Sequence, residues 1–307
     1  MPRQIVHIGL KKTGTTWLQD ILLKASADGL IGAMPFENWR AFRTAHPWKN
    51  AGPDDFDALA ELLAPFKDKP AILSWELMHH YDWQSLDEAI ARALPEAIIL
   101  VTTRGPESFL QSNYNNAVIN GFSGQTNTFS RQFQKSLLKT HDFCRMAEEF
   151  ERHSNDGRLV FLPFEMLADK PRKYLKCISD LVGIDLSAYF ARRSLNASPP
   201  ADLLDLLKKV SAKLDDEQSG LLDTREWYLF KYMAMHAAGY AEELQDYFRR
   251  NAAADGIELD NTLPTVSDDM KARLADRMSI LSDLKVFNEY RSLYYLLEGE
   301  TTQAVTS

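Results

Sequence analysis

The chain has 307 residues, a formal net charge of −8, 45% hydrophobic residues and two cysteines. That length admits one large α/β domain or two smaller ones, and the hydrophobic share is ample for a globular core. The acidic balance argues against nucleic acid as the main partner. Cys144 and Cys177 lie far apart without metal-ligand spacing, which argues against a disulfide framework and a zinc site. They read as reduced, buried thiols of a cytoplasmic protein. The stretch from Ile5 to Leu10, broken by His7, is too short for a signal-peptide core. No apolar run approaches the roughly 18 residues of a membrane span.

In chain order, Ile5–Ile8 reads as a buried strand. It leads into Gly9-Leu10-Lys11-Lys12-Thr13-Gly14-Thr15-Thr16-Trp17 and then an amphipathic helix over Trp17–Lys24. Strand, glycine loop and helix is the geometry that aims backbone N–H groups and a helix N-terminus at a phosphate. The spacing is almost that of the nucleotide-triphosphatase loop G-x-x-x-x-G-K-[ST]. Where that motif needs lysine, this chain has Thr15, and the lysine stands on the other side of the glycine at Lys12. The loop can still cradle an anion, but its ammonium meets the ligand from elsewhere, which favours a donor other than ATP.

Further strands are expected at Ala71–Ser74, Ala97–Val101 and Arg158–Leu162, with a helix over Leu86–Leu94 that Pro95 stops. Short apolar runs separated by helices predict a parallel sheet covered on both faces, with ligands beyond the strand C-termini. Phe129–Arg152 reads as one long helical stretch. After Pro199-Pro200 the pattern is helical almost throughout, over Leu203–Leu214, Trp227–Arg250 and Asp268–Leu297. The expected architecture is α/β, a P-loop-like parallel sheet flanked by helices, in a single domain over 1–307. Residues 1–200 form its cofactor-binding core and 201–307 a helical extension.

Two further anchors follow strand ends. The first is Arg104, with Pro106 in the first turn of a helix, Ser112 eight residues after the arginine and Tyr114 two further on. An arginine fork with a nearby hydroxyl suits a phosphate monoester. The second is Ser74-Trp75-Glu76, where Glu76 is a candidate general base and His79 and His80 compete with it. Phe164-Glu165-Met166-Leu167 reads as scaffold, with Glu165 anchoring local backbone. The basic loop Arg192–Ser198 is an equally good solvated loop or cover for an anion.

Lys12-Thr13-Gly14-Thr15-Thr16-Trp17 after a strand, followed by Arg104-x-Pro106 with Ser112 and Tyr114, resembles the sulfotransferases that use 3′-phosphoadenosine 5′-phosphosulfate (PAPS). The resemblance covers about residues 1–200. It implies that Lys12, Thr13, Gly14, Thr15, Thr16 and Trp17 hold the 5′-phosphosulfate and that Arg104 and Ser112 hold the 3′-phosphate. It implies Lys12 and Glu76 as the catalytic pair, moving a sulfuryl group to a hydroxyl of a carbohydrate, glycolipid or small metabolite. No metal is expected, since no pair of carboxylates stands beside the loop. Aromatic residues within Met34–Trp39, Trp75–Trp83 and Gly121–Phe129 are candidate acceptor contacts. Two alternatives stay open: a non-catalytic protein that binds PAPS or its desulfated product, and a P-loop kinase, which would need lysine at position 15 and a metal-binding aspartate.

Overall fold

The computed structural model describes residues 3–10, 13–47, 51–75, 82–190, 201, 204–209, 250 and 262–296. Among the described residues five strands form one sheet: β1 (Gln4–Gly9), β2 (Gly32–Ala33), β3 (Ala71–Trp75), β4 (Ile98–Thr103) and β5 (Leu159–Pro163). Their order is β2-β3-β1-β4-β5, and every pair is parallel. Every residue of β1, β3 and β4 is buried, as expected for inner strands covered on both faces. β1 is central. The chain pairs β3 on one side of it and β4 on the other, so the loop that leaves β1 stands at a topological switch point, where ligands of doubly wound sheets bind.

The helices are α1 (Thr15–Ala27), α2 (Phe36–Ala45), α3 (Pro53–Leu63), α4 (Trp83–Ala93), α5 (Pro106–Ile119), α6 (Thr126–Thr140), α7 (Phe143–Glu149), α8 (Glu151–Asn155), α9 (Phe164–Asp169), α10 (Pro171–Val182) and α11 (Asp268–Arg277). α1 buries Trp17, Leu18, Ile21, Leu22 and Ala25, the i, i+4 stripe of an amphipathic helix. α10 ends at Gly183, whose φ of 77° is the left-handed cap that glycine adopts without strain.

Two expectations are corrected. Phe129–Arg152 is not one helix. It breaks after Thr140, where His141 is buried and Asp142 caps the next helix by accepting from the Arg145 N–H. Asp268–Leu297 is a helix only to Arg277, and 3₁₀ turns follow at Ser279–Asp283, Lys285–Phe287 and Arg291–Tyr294. Met270, Leu274 and Met278 are buried at the four-residue spacing of an α-helix. Burial then falls on Leu281, Phe287, Tyr290, Tyr294 and Leu296, without the regular four-residue spacing of α11. The cysteines are free but half-buried rather than buried, on α7 and α10. Of the other expected helices, Leu203–Leu214 is helical over 204–209, the part described, and Trp227–Arg250 lies outside the described residues save for Arg250.

The chain divides into two compact units. One comprises Met1–Pro106, Leu137–Leu195 and Asp268–Ser307 and carries the sheet; the other comprises Glu107–Ser136 and Asn196–Ser267. In the second, Phe129 packs edge-on against Tyr114 and Phe122 and stacks on Phe133. There Asp205 pairs with Lys208 and Lys209, and Glu107 accepts from the Val266 N–H. Among the described residues no helix is long and apolar enough to cross a membrane.

Candidate active site at the end of the central strand

β1 ends at Gly9, a position that two threonine hydroxyls reserve for glycine. A Cβ there would stand 2.4 Å from Thr15 Oγ1 and 3.3 Å from Thr13 Oγ1. Thr13 Oγ1 donates to the Leu10 carbonyl at 2.6 Å, which folds the loop back on itself. Gly14 then takes φ 72° as the residue before α1, and a Cβ on it would meet Leu167 Cδ2 at 2.4 Å. Only glycine satisfies both demands.

α1 therefore begins without a side-chain cap and without an acidic residue in its first turn. The Trp17 and Leu18 N–H groups return to the Gly14 carbonyl, whereas the first N–H groups of a helix have no intrahelical partner. Thr15 Oγ1 is buried with no hydrogen-bond partner. A buried hydroxyl without a partner is costly unless something else fills the place. Helix N-terminus, glycine loop, orphaned hydroxyl and absent carboxylate together fit an anion. Thr16 is exposed on the same turn, and Trp17 is buried between Tyr174 and Phe190. Lys11 and Lys12 lie outside the described residues, as do Glu76, His79, His80 and the loop Arg192–Ser198.

Beneath the loop a polar chain crosses the sheet. His7 Nδ1 lies 2.8 Å from Ser74 Oγ and His7 Nε2 lies 2.7 Å from Thr102 Oγ1, which lies 2.6 Å from Tyr174 Oη. A neutral imidazole offers one donor and one acceptor, and the hydroxyls on either side can play either part. Complete burial pushes the His7 pKa down to about 3, so the ring stays neutral.

Arg104 leaves the end of β4, half-buried, with its guanidinium carbon 4.6 Å from the centre of the Phe164 ring. Burial pushes its pKa down, while the charge of Glu165 and the Tyr294 phenol oppose that. Its backbone is clamped from both sides. His141 Nε2 lies 3.0 Å from the Arg104 carbonyl, and the next amide, Gly105 N–H, donates to Glu165 Oε1 at 2.9 Å. His141 Nδ1 lies 3.1 Å from the Leu137 carbonyl, and burial lowers its pKa to about 4. The neutral ring has one N–H and so donates to one of the two carbonyls at a time. Glu165 anchors backbone, as the sequence suggested. Ser112 belongs to the other unit, on α5, where it is 8% exposed.

Nothing in the sequence signals the parts played by His7, His141, Phe164 and Tyr294. His7 merely interrupts an apolar run, and Tyr294 lies in a segment that reads as plain helix. The aromatics offered as acceptor contacts turn out largely to be core: Trp39 stacks on Trp75 at 4.6 Å, and both are buried with Trp83 and Phe129. Among the described residues no group of three or more His, Cys, Asp or Glu is gathered as a metal site.

An α/β sheet with a glycine-threonine loop between its central strand and the first helix, at the switch point, defines a P-loop-like fold. Residues 2–211 match the family model described as "Sulfotransferase domain", and the chain belongs to that family. Among solved structures, the sulfotransferase from Alicyclobacillus acidocaldarius is similar over 70% of this chain and 94% of its own, at 16% identity and a TM-score of 0.44. Mouse sulfotransferase SULT7A1 complexed with PAP is similar over 71% of this chain and 68% of its own, at 17% identity and a TM-score of 0.39. The sulfotransferase domain of the Synechococcus PCC 7002 olefin synthase is similar over 71% and 96%, at 14% identity and a TM-score of 0.37. No curated protein sequence matches the chain.

Proposed function

We propose that the protein transfers a sulfuryl group from PAPS to a hydroxyl of a carbohydrate, glycolipid or small metabolite, as a cytoplasmic enzyme of one domain. The observation that carries this reading is the loop from Gly9 to Trp17, with its left-handed Gly14 and the buried, partnerless hydroxyl of Thr15. Sulfotransfer is the activity for which the family is named.

PAPS supplies the sulfuryl group, already activated on a phosphate. N–H groups of Thr13, Gly14, Thr15 and Thr16 and the hydroxyls of Thr15 and Thr16 hold the 5′-phosphate, with Trp17 beside them, and Arg104 and Ser112 hold the 3′-phosphate. Glu76 takes the proton of the acceptor hydroxyl as its oxygen bonds to sulfur. Lys12 neutralises the oxygen that gains charge as the bond between sulfur and the 5′-phosphate breaks. Adenosine 3′,5′-bisphosphate leaves. Catalysis here is positioning and charge stabilisation, as in phosphoryl transfer.

A screen of hydroxylated acceptors with radiolabelled PAPS tests this. The expected result is a labelled acceptor with an equal amount of adenosine 3′,5′-bisphosphate. Tight binding of the bisphosphate with no sulfate loss to any acceptor would instead make the chain a binding protein. Transfer from ATP would make it a kinase.

A further inference from the structure

Glu165 is a buried carboxylate, and both of its oxygens are engaged. Oε1 accepts from the Gly105 N–H at 2.9 Å and Oε2 from the Tyr294 O–H at 2.7 Å. Tyr294 has no exposed surface; its oxygen also lies 2.9 Å from Thr103 Oγ1, and its ring meets Phe287 edge-on at 5.1 Å. The neighbouring Leu293 carbonyl comes so close to Gly105 that an added Cβ would stand 2.8 Å from it. Residues 293 and 294 lie beyond residue 211, where the family match ends, yet Tyr294 bonds Thr103 and the Leu293 carbonyl lies beside Gly105, the two residues that flank Arg104. Burial beside Glu165 drives the Tyr294 phenol far above its ordinary pKa, so it remains a donor at any working pH.

We infer that Tyr294 is a positioning residue for Arg104: its hydroxyl holds the Glu165 carboxylate on the Gly105 amide and so keeps that negative charge from competing with a bound anion for the guanidinium. The inference rests on the reading that Arg104 holds the 3′-phosphate. A buried carboxylate that loses a donor seeks another. Arg104 is a cation that already feels the field of Glu165. Without the Tyr294 hydroxyl, Glu165 turns toward Arg104, and an incoming phosphate must displace it.

The test is calorimetric binding of adenosine 3′,5′-bisphosphate and adenosine 5′-phosphate to the full chain. The quantity read is the preference for the bisphosphate. Tyr294→Phe should lower that preference by about tenfold, in the range of one charge-assisted hydrogen bond. The affinity for the 5′-phosphate should not change. Adding Glu165→Gln to Tyr294→Phe should restore the preference, because the competing charge is gone. An equal loss for both ligands, an unchanged preference, or a loss that Glu165→Gln does not rescue overturns the inference. Should Tyr294→Phe alone not fold, Glu165→Gln with and without it decides. Equal preference in those two, at the native level or above, supports the inference; a preference lost on removing the hydroxyl from the neutral background overturns it. A native protein with no preference brings down the Arg104 reading and the inference together. A native preference that Tyr294→Phe leaves intact brings down the inference alone.

Discussion

The Arg104 guanidinium lies over the face of the Phe164 ring, 4.6 Å from its centre. The ring covers one side of a planar cation and so limits the directions in which its N–H fork can donate. A fork restrained in this way loses less entropy when it grips a phosphate.

Arg104→Ala is therefore expected to weaken binding of adenosine 3′,5′-bisphosphate by about 2–4 kcal/mol, the size of a lost charge-assisted pair. Binding of adenosine 5′-phosphate should barely change. Titration calorimetry with both nucleotides checks this, and equal losses would remove Arg104 from the 3′-phosphate.

Lys12→Ala separates binding from chemistry. If the lysine acts on the departing oxygen, kcat should fall at least as much as PAPS affinity does. Steady-state kinetics that return a raised KM with native kcat would count against this role.

Glu76→Gln keeps shape and hydrogen bonding but removes basicity. It should retain PAPS affinity and lose roughly 10²–10⁴-fold in turnover, the usual worth of a general base. The loss should shrink for acceptors with an acidic hydroxyl, such as a nitrophenol. Normal turnover in this variant, with His79→Ala or His80→Ala inactive, would move the base to a histidine.

Buried neutral histidines set an acid limit on stability. His7 titrates near 3 and His141 near 4 in the folded chain, against an ordinary 6.5. Both folded values are depressed. Their contribution is thus complete above pH 6.5 and is lost as the pH falls from there toward 4 and 3. Near pH 5 each should steepen the loss by about 1.4 kcal/mol per pH unit. Urea unfolding at several pH values checks this: His7→Gln should flatten the slope by about that amount, and an unchanged slope would mean that His7 does not stay neutral.

Gly14→Ala forces a side chain into a left-handed position and against Leu167 Cδ2 at 2.4 Å. The expected cost is about 1–3 kcal/mol of stability, together with loss of anion binding. Thermal melting with and without adenosine 3′,5′-bisphosphate measures both effects; a variant that melts and binds like the native chain would refute them.

Much of the architecture was legible because inner parallel strands are written as short apolar runs. Ala97–Val101 and Ala71–Ser74 lie within a residue or two of β4 and β3. The loop was legible because glycine and threonine at fixed spacing have few other uses. β2 was not, since two residues carry no periodicity. The break at His141 was not, since one buried histidine between helical segments looks like any other helical residue. The switch from α-helix to 3₁₀ turns after Arg277 was not, since apolar residues continue through it and only the fold shows that their regular four-residue burial ends there. The clamp on Arg104 was hidden for a different reason. Its parts, His141, Glu165 and Tyr294, come from three distant stretches, and only the fold brings them together.

The bond from Tyr294 to Thr103 spans 191 positions of the chain. During synthesis β4 and the arginine after it emerge long before their last support. A ribosome-bound chain that has passed residue 211 already holds the whole family-matched region but not the phenol that completes it. Such a nascent chain carries Glu165 without its Tyr294 donor, so the link that ties this carboxylate to β4 forms only after residue 294 has been added.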